Sequence, residues 1–331
     1  MILKQLIHLA GRATIGLAVA ASLSLPAPAL AEVKVGLSDW PGWVAWYVAE
    51  QKGLFKKYHA DVKLVWFANY TDSISALSSG QLDANSQTWS DTMGPLSKGI
   101  ALKVILVNDN SAGNDALMVG PKIKSFEDLK GKSVALEQFS VSHFVLINAL
   151  ARHGMKASDV KIVNLAAGDA AAAFLAGRVD AACLWNPWIH QIEASGKGHA
   201  LFTSKDLPGL IPDLLVARTA AIQTKRADLV GMIRAWFDAV AYIQSHPDES
   251  VAIMSKVVGV PPADYKVFLP GTRLFDAKLN QDAFGPASEP LSLLGVATPT
   301  INFLLDNKLI ETRPDPVAGI DTSLLADALK K

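Results

Sequence analysis

The chain has one cysteine in 331 residues. A single thiol can form no intramolecular disulfide. Within Val-Asp-Ala-Ala-Cys-Leu-Trp, Cys183 reads as a buried strand residue rather than a nucleophile. The seven histidines show no H-E-x-x-H or comparable metal-ligand spacing. There is no G-x-S-x-G elbow, no phosphate loop and no low-complexity tract. Lys and Arg total 31 against 31 Asp and Glu, so charge gives no case for nucleic acid or an anionic membrane. The apolar run near the start, IGLAVAASLSL, is too short to span a bilayer.

That run instead fits a secretory signal. Lys4 and Arg12 precede it, and Ala29-Leu30-Ala31 has the A-x-A form of a cleavage site. Residues 1–31 are expected to be removed after Ala31, leaving a periplasmic protein. Losing Lys4 and Arg12 takes the basic count from 31 to 29, against 31 acids. No cysteine stands at the cut to carry a lipid.

The remaining sequence alternates strands and helices. VKVGLSD, ADVKLVWFA and LKVILVND read as strands, with GWVAWYVAEQKGLFKKY and TDSISALSSGQLD as helices between them. Thr71 or Asp72 is the expected cap of the second helix and Gly80 its stop. NSAGND reads as a flexible connection. The pattern restarts with KSVALE, a helix from about Ser142 to His153, VKIVNL, an Ala-rich helix and VDAACLW; DLLVART follows as a further strand. The expected fold class is α/β, two-lobed, each lobe a mostly parallel sheet flanked by helices. The long helix after Arg226 repeats apolar residues at threes and fours, which places Trp236 in the core; Trp66, inside an apolar strand, is expected there too.

Several ordered segments resemble the periplasmic substrate-binding proteins of the nitrate/sulfonate/taurine class of ABC importers. They are VGLSDWPGWVAWYVAEQKGLFKKY, ALSSGQLDANSQTWSD, SAGNDALMVG, SFEDLKGKSVALEQFSVSHFVLINAL and AAAAFLAGRVDAACLWNPW. The resemblance implies a type II periplasmic binding protein fold that closes by hinge motion on a small molecule. It implies partners too: a membrane permease and its ATPase, with the chain itself a monomer. No cofactor and no catalytic residue is expected. Since this class crosses twice between lobes, lobe one is expected at 32–115 plus 220–331, and lobe two at 116–219.

The same resemblance points four loops at the cleft. They carry Asp39 and Trp40; Trp89 and Asp91; Glu137, Ser140 and His143; and Trp185 and Trp188, with Trp43 one turn beyond the first. Five of the eight tryptophans thus fall in or beside cleft loops, while Trp46 is expected in the core. Asp39 and Asp91 could equally cap helices, and His143 could be a structural hydrogen-bonder. Glu137 has no evident structural task. These loops hold no Arg or Lys. Three carboxylates would repel an anion and attract a cation, and indole faces suit one. A planar cation satisfies both, its faces on Trp and its N–H rim on Asp and Glu, so guanidinium is the expected ligand, in a branch serving guanidine- or urea-type nitrogen compounds. Open alternatives are an alkanesulfonate, taurine, nitrate or a quaternary amine and, more remotely, a thiamine-pyrimidine-precursor binder or synthase. Asp83 and Asp180 recur after Gly turns in GQLDA and GRVDA and are taken as a structural device outside the site.

Overall fold

The structure is a computed structural model that describes residues 32–330. The expected signal and its cleavage point lie outside the described residues. Among the described residues no helix is long and apolar enough to cross a membrane.

Among the described residues, eleven strands build two sheets. In chain order they are β1 (Val33–Leu37), β2 (Val62–Trp66), β3 (Ala84–Thr88), β4 (Leu102–Ser111), β5 (Asp115–Val119), β6 (Ser133–Leu136), β7 (Lys161–Asn164), β8 (Ala181–Trp185), β9 (His199–Thr203), β10 (Pro212–Arg218) and β11 (Thr272–Leu274). The first sheet runs β11-β4-β10-β3-β1-β2, the second β7-β6-β8-β5-β9. β1 pairs in parallel with β2 and β3, and β6 with β7 and β8, as strand–helix–strand units require. The sheets are nonetheless mixed: β10 runs antiparallel to β3 and β4, and β5 antiparallel to β8 and β9.

Two segments therefore cross between the sheets, β4 to β5 and β9 to β10. The strand in DLLVART was expected in the second lobe. It lies in the middle of the first sheet, so the return crossing falls before Pro212 and not at residue 220. NSAGND, expected to be flexible, is largely strand: β4 continues to Ser111 and β5 begins at Asp115.

Buried apolar faces hold the helices of the first half to one another. Trp46 and Trp236 are both fully buried, with ring centroids 4.5 Å apart. Trp236 also donates from Nε1 to the Phe275 carbonyl at 2.9 Å. Trp66 is 40 % exposed and is not core, because β2 is an edge strand. Asp83 and Asp180 do recur as one device: Asp83 accepts from the Lys34 amide at 2.9 Å, and Asp180 from the Ser133 amide at 2.9 Å. Each ties its turn to the strand that opens its half.

Candidate functional site

The expected cleft residues meet where the two sheets face each other. Asp39 follows β1, Trp89 and Asp91 follow β3, Glu137 follows β6, and Trp185 ends β8. These are carboxyl ends of parallel strands, where open α/β sheets bind ligands. Chain crossings deliver two more polar strands, β4 and β10, to the same place.

Asp39, expected as a ligand contact or a cap, caps nothing. The helix after it starts at Ala45, and its N-cap Val44 makes no side-chain bond. Asp39 instead reaches the other half, accepting from Trp185 Nε1 at 2.8 Å and Trp188 Nε1 at 2.7 Å. Burial raises its pKa to about 6, although both indole donors pull it down.

Asp91 and Glu137 form a reciprocal pair of caps between the halves. Thr88, not Asp91, caps the helix Trp89–Ser97. Asp91 Oδ2 accepts from the amide of Val141, the first residue of the helix Val141–Arg152 in the other half, at 3.0 Å. Glu137 Oε1 returns the favour across the cleft. It accepts from Thr71 N at 2.7 Å and Thr71 Oγ1 at 2.6 Å, at the start of the helix Tyr70–Ser79. Thr71 is thus held by a cap and is not one itself; the N-cap is Asn69. Each carboxylate meets unpaired N–H groups and the positive end of a helix dipole. This is the structural task for Glu137 that the sequence did not disclose. Its second oxygen, Oε2, is buried with no partner. Burial raises the pKa of Glu137 and lifts that of Asp91 to about 7.

The indoles form a connected wall. Trp40 lies 6.4 Å from Trp43, Trp43 5.1 Å from Tyr70, and Tyr70 5.9 Å from Trp185 of the other half at 86°. Trp89 is fully buried. Trp43 Nε1, Trp89 Nε1 and Ser142 Oγ are buried donors without acceptors. Ser140 is the N-cap of its helix, accepting from Ser142 N at 3.2 Å. His143 Nδ1 accepts from Phe139 N at 3.4 Å, and burial lowers its pKa. Trp46, as expected, stands outside this wall in the core.

Sequence reading missed three acids. Asp109 on β4, Asp115 on β5 and Asp213 on β10 are all buried. Trp40 Nε1 donates to Asp109 Oδ1 at 3.0 Å. Asp109 Oδ2, Asp213 Oδ2 and both oxygens of Asp115 have no partner. Burial raises all three pKa values, that of Asp115 to about 7. Among the described residues, no Lys, Arg or His forms an ion pair with any of these six acids. No three His, Cys, Asp or Glu among them converge as metal ligands. The signal that could have found Asp109 and Asp115 was their polar setting, since Asn-Asp-Asn-Ser-Ala-Gly-Asn-Asp is too polar for a link between buried strands; Asp213, alone before Leu-Leu-Val, carried no such signal.

Two α/β halves, joined by two crossings and facing each other across polar residues, make up a periplasmic binding protein fold. The periplasmic aliphatic sulphonate binding protein of Escherichia coli has this fold: its structure superposes with a TM-score of 0.70 at 24 % identity, covering 89 % of this chain and 99 % of that one. The family model described as NMT1/THI5 like matches residues 40–250, and the chain belongs to that family. An Escherichia coli chain provisionally named an aliphatic sulfonates-binding protein is 28 % identical over 224 residues, 66 % of this chain and 70 % of its own length. The taurine-binding periplasmic protein of Escherichia coli is 26 % identical over 256 residues, 74 % of this chain and 79 % of its own.

Proposed function

We propose that this chain is the exported capture component of an ABC importer, with no catalytic role, and that it takes a small planar nitrogenous cation, guanidinium first. It would close as a monomer and hand the ligand to a permease driven by an ATPase. One observation carries the ligand class: buried carboxylate oxygens on Asp109, Asp115, Asp213 and Glu137 lack donors, and no basic side chain pairs with them. Unpaired buried charge is costly by several kcal/mol per ion, and a bound cation removes that cost. The indoles of Trp40, Trp43, Trp89 and Trp185 supply flat faces, and Asp39, Asp91 and Glu137 hold the walls together.

A second reading is an alkanesulfonate or taurine. It is favoured by the names of the relatives and by the unpaired donors Trp43 Nε1, Trp89 Nε1 and Ser142 Oγ. Thermal denaturation with guanidinium, taurine and ethanesulfonate separates the two. A ligand at 100 times its dissociation constant adds about 2.7 kcal/mol of apparent stability. Guanidinium at low millimolar concentration should raise the Tm while ethanesulfonate leaves it unchanged. Stabilisation by ethanesulfonate without any by guanidinium refutes the cation reading; stabilisation by taurine alone would assign the acids to an ammonium group on a zwitterion.

A further inference from the structure

We propose that Asp109 and Asp213 are the anchoring pair for the ligand, and that the cation takes the place of a proton these two carboxylates share while the cleft is unliganded. This rests on the cation reading above and adds to it a defined pair of residues and an exchange.

The two aspartates are register partners on adjacent antiparallel strands, β4 and β10. The ladder slips beside them: Asp213 faces Asp109, while Leu214 faces Val107. Such a bulge re-aims side chains next to sites. As directly opposed register partners, the two side chains leave the same face of the sheet side by side. Two carboxylates offer four acceptor oxygens and no donor, so a hydrogen bond between them requires one proton. Neither has solvent to relieve it, Asp109 being 0 % and Asp213 1 % exposed.

The surroundings favour a shared proton over an ion pair. Trp40 Nε1 donates to Asp109, so Asp109 is the better-stabilised anion. Asp213 Oδ2 has no such donor, so the shared proton belongs on Asp213; burial and then the negative charge of Asp109 push its pKa in the same direction. A carboxylate from the opposite half completes the observation. Asp115 is 2 % exposed, has both oxygens free, and its charge acts on Asp109 and Asp213 alike. Asp91 from the helix Trp89–Ser97 also acts on Asp213. The remaining titratable groups facing the set are Tyr70, Tyr265 and Cys183, all with raised pKa values and neutral. Lys205 and Arg273 line a hollow beside Asn110 and Ser111 and form no ion pair with any of these acids. Gly42 fixes the geometry from above, since a Cβ there would overlap the Asp109 carboxylate.

The exchange balances. Unliganded, the pair carries one proton and one negative charge. On binding, guanidinium brings one positive charge and its N–H donors, Asp213 releases its proton to solvent, and two carboxylates face one cation.

Calorimetric titration with guanidinium chloride near pH 8, above the values of about 7 for Asp91, Asp109 and Asp115, tests this, in buffers that differ in ionisation enthalpy and contain no sulfonate. The observed heat should vary linearly with buffer enthalpy, with a slope of about one proton released, and affinity should rise by up to about tenfold per pH unit through the acid range. Asp213→Asn should abolish the slope and weaken binding by about tenfold or more. Saturable binding with zero slope in the parent protein overturns the exchange while leaving the cation reading standing. Absence of both heat and Tm shift with guanidinium overturns both. If Asp213→Asn fails to fold, the infrared carbonyl band of a protonated carboxylic acid in the unliganded parent at pH 8, where acids held at about 7 are ionised, decides: its loss on adding guanidinium supports the exchange, and its absence beforehand refutes it.

Discussion

Glu137→Gln separates the two tasks that one carboxylate performs. Oε1 caps the helix Tyr70–Ser79 through Thr71, and Oε2 is buried without a partner. Glutamine keeps an oxygen for Thr71 and replaces the free acceptor by an amide. Without ligand, the parent suffers from a buried charge whose pKa burial raises. A carboxylate with a raised folded pKa contributes most stability below its unfolded pKa and loses that contribution as pH rises through the folded value. Above neutrality the substitution removes that loss, so the unliganded variant should melt at the same temperature or higher. Weaker capping by a neutral group offsets this by about 0.3–1 kcal/mol. Binding moves the other way. Removing one partner of a desolvated charge pair costs about 2–5 kcal/mol, roughly thirty-fold to several thousand-fold in affinity. Paired measurements of Tm and guanidinium affinity at pH 8 check both. A variant that melts several degrees lower and binds as tightly as the parent would show Glu137 to be a cap alone, with no contact to the cation.

Three further outcomes follow from the same contacts. Burial raises Asp39 to about 6 and Asp91 and Asp115 to about 7, so these acids make the unliganded fold less stable as pH rises; His143, lowered by burial, opposes them below its ordinary 6.5. Between about pH 6.5 and 8 the unliganded Tm should therefore fall, a rise refuting the assignment, and guanidinium should cancel most of the fall. Asp83→Asn should lose about 0.5–2 kcal/mol from bonds to Lys34 N and to Lys225 Nζ, and leave affinity unchanged as seen by denaturant unfolding and calorimetry. Trp236→Ala should cost about 3–5 kcal/mol in the same unfolding assay, because the indole is fully buried against Trp46; a loss below about 1 kcal/mol would contradict its place in the core.

Local pattern made the α/β alternation and the aromatic loops legible. Strands such as Val33–Leu37 and Ala181–Trp185 bury apolar faces, which is the signal periodicity detects. Sheet membership is a long-range property, so Pro212–Arg218 could be recognised as a strand and still be assigned to the wrong half. β4 and β5 defeated the pattern for a different reason. Asn108, Asp109, Asn110, Ser111 and Asp115 are buried polar residues on strands, where sequence reasoning expects apolar ones. Local rules fail where a site is built. The three acids that were found, Asp39, Asp91 and Glu137, revealed their loops but not their partners, since each bonds across the cleft to a residue at least 50 positions away. Spacing carries no record of such distances.

The central claim is that the buried carboxylates between the halves receive a cation. A crystal structure of the protein grown with low-millimolar guanidinium chloride, and with no sulfonate buffer, tests it most directly. A planar cation should lie between the halves, with its nitrogens about 2.7–2.9 Å from oxygens of Asp109 and Asp213 and a face on one of the cleft indoles. An empty carboxylate pair in crystals soaked to saturation, or a sulfonate seated on Trp43 Nε1, Trp89 Nε1 and Ser142 Oγ when both ligands are offered, would contradict it.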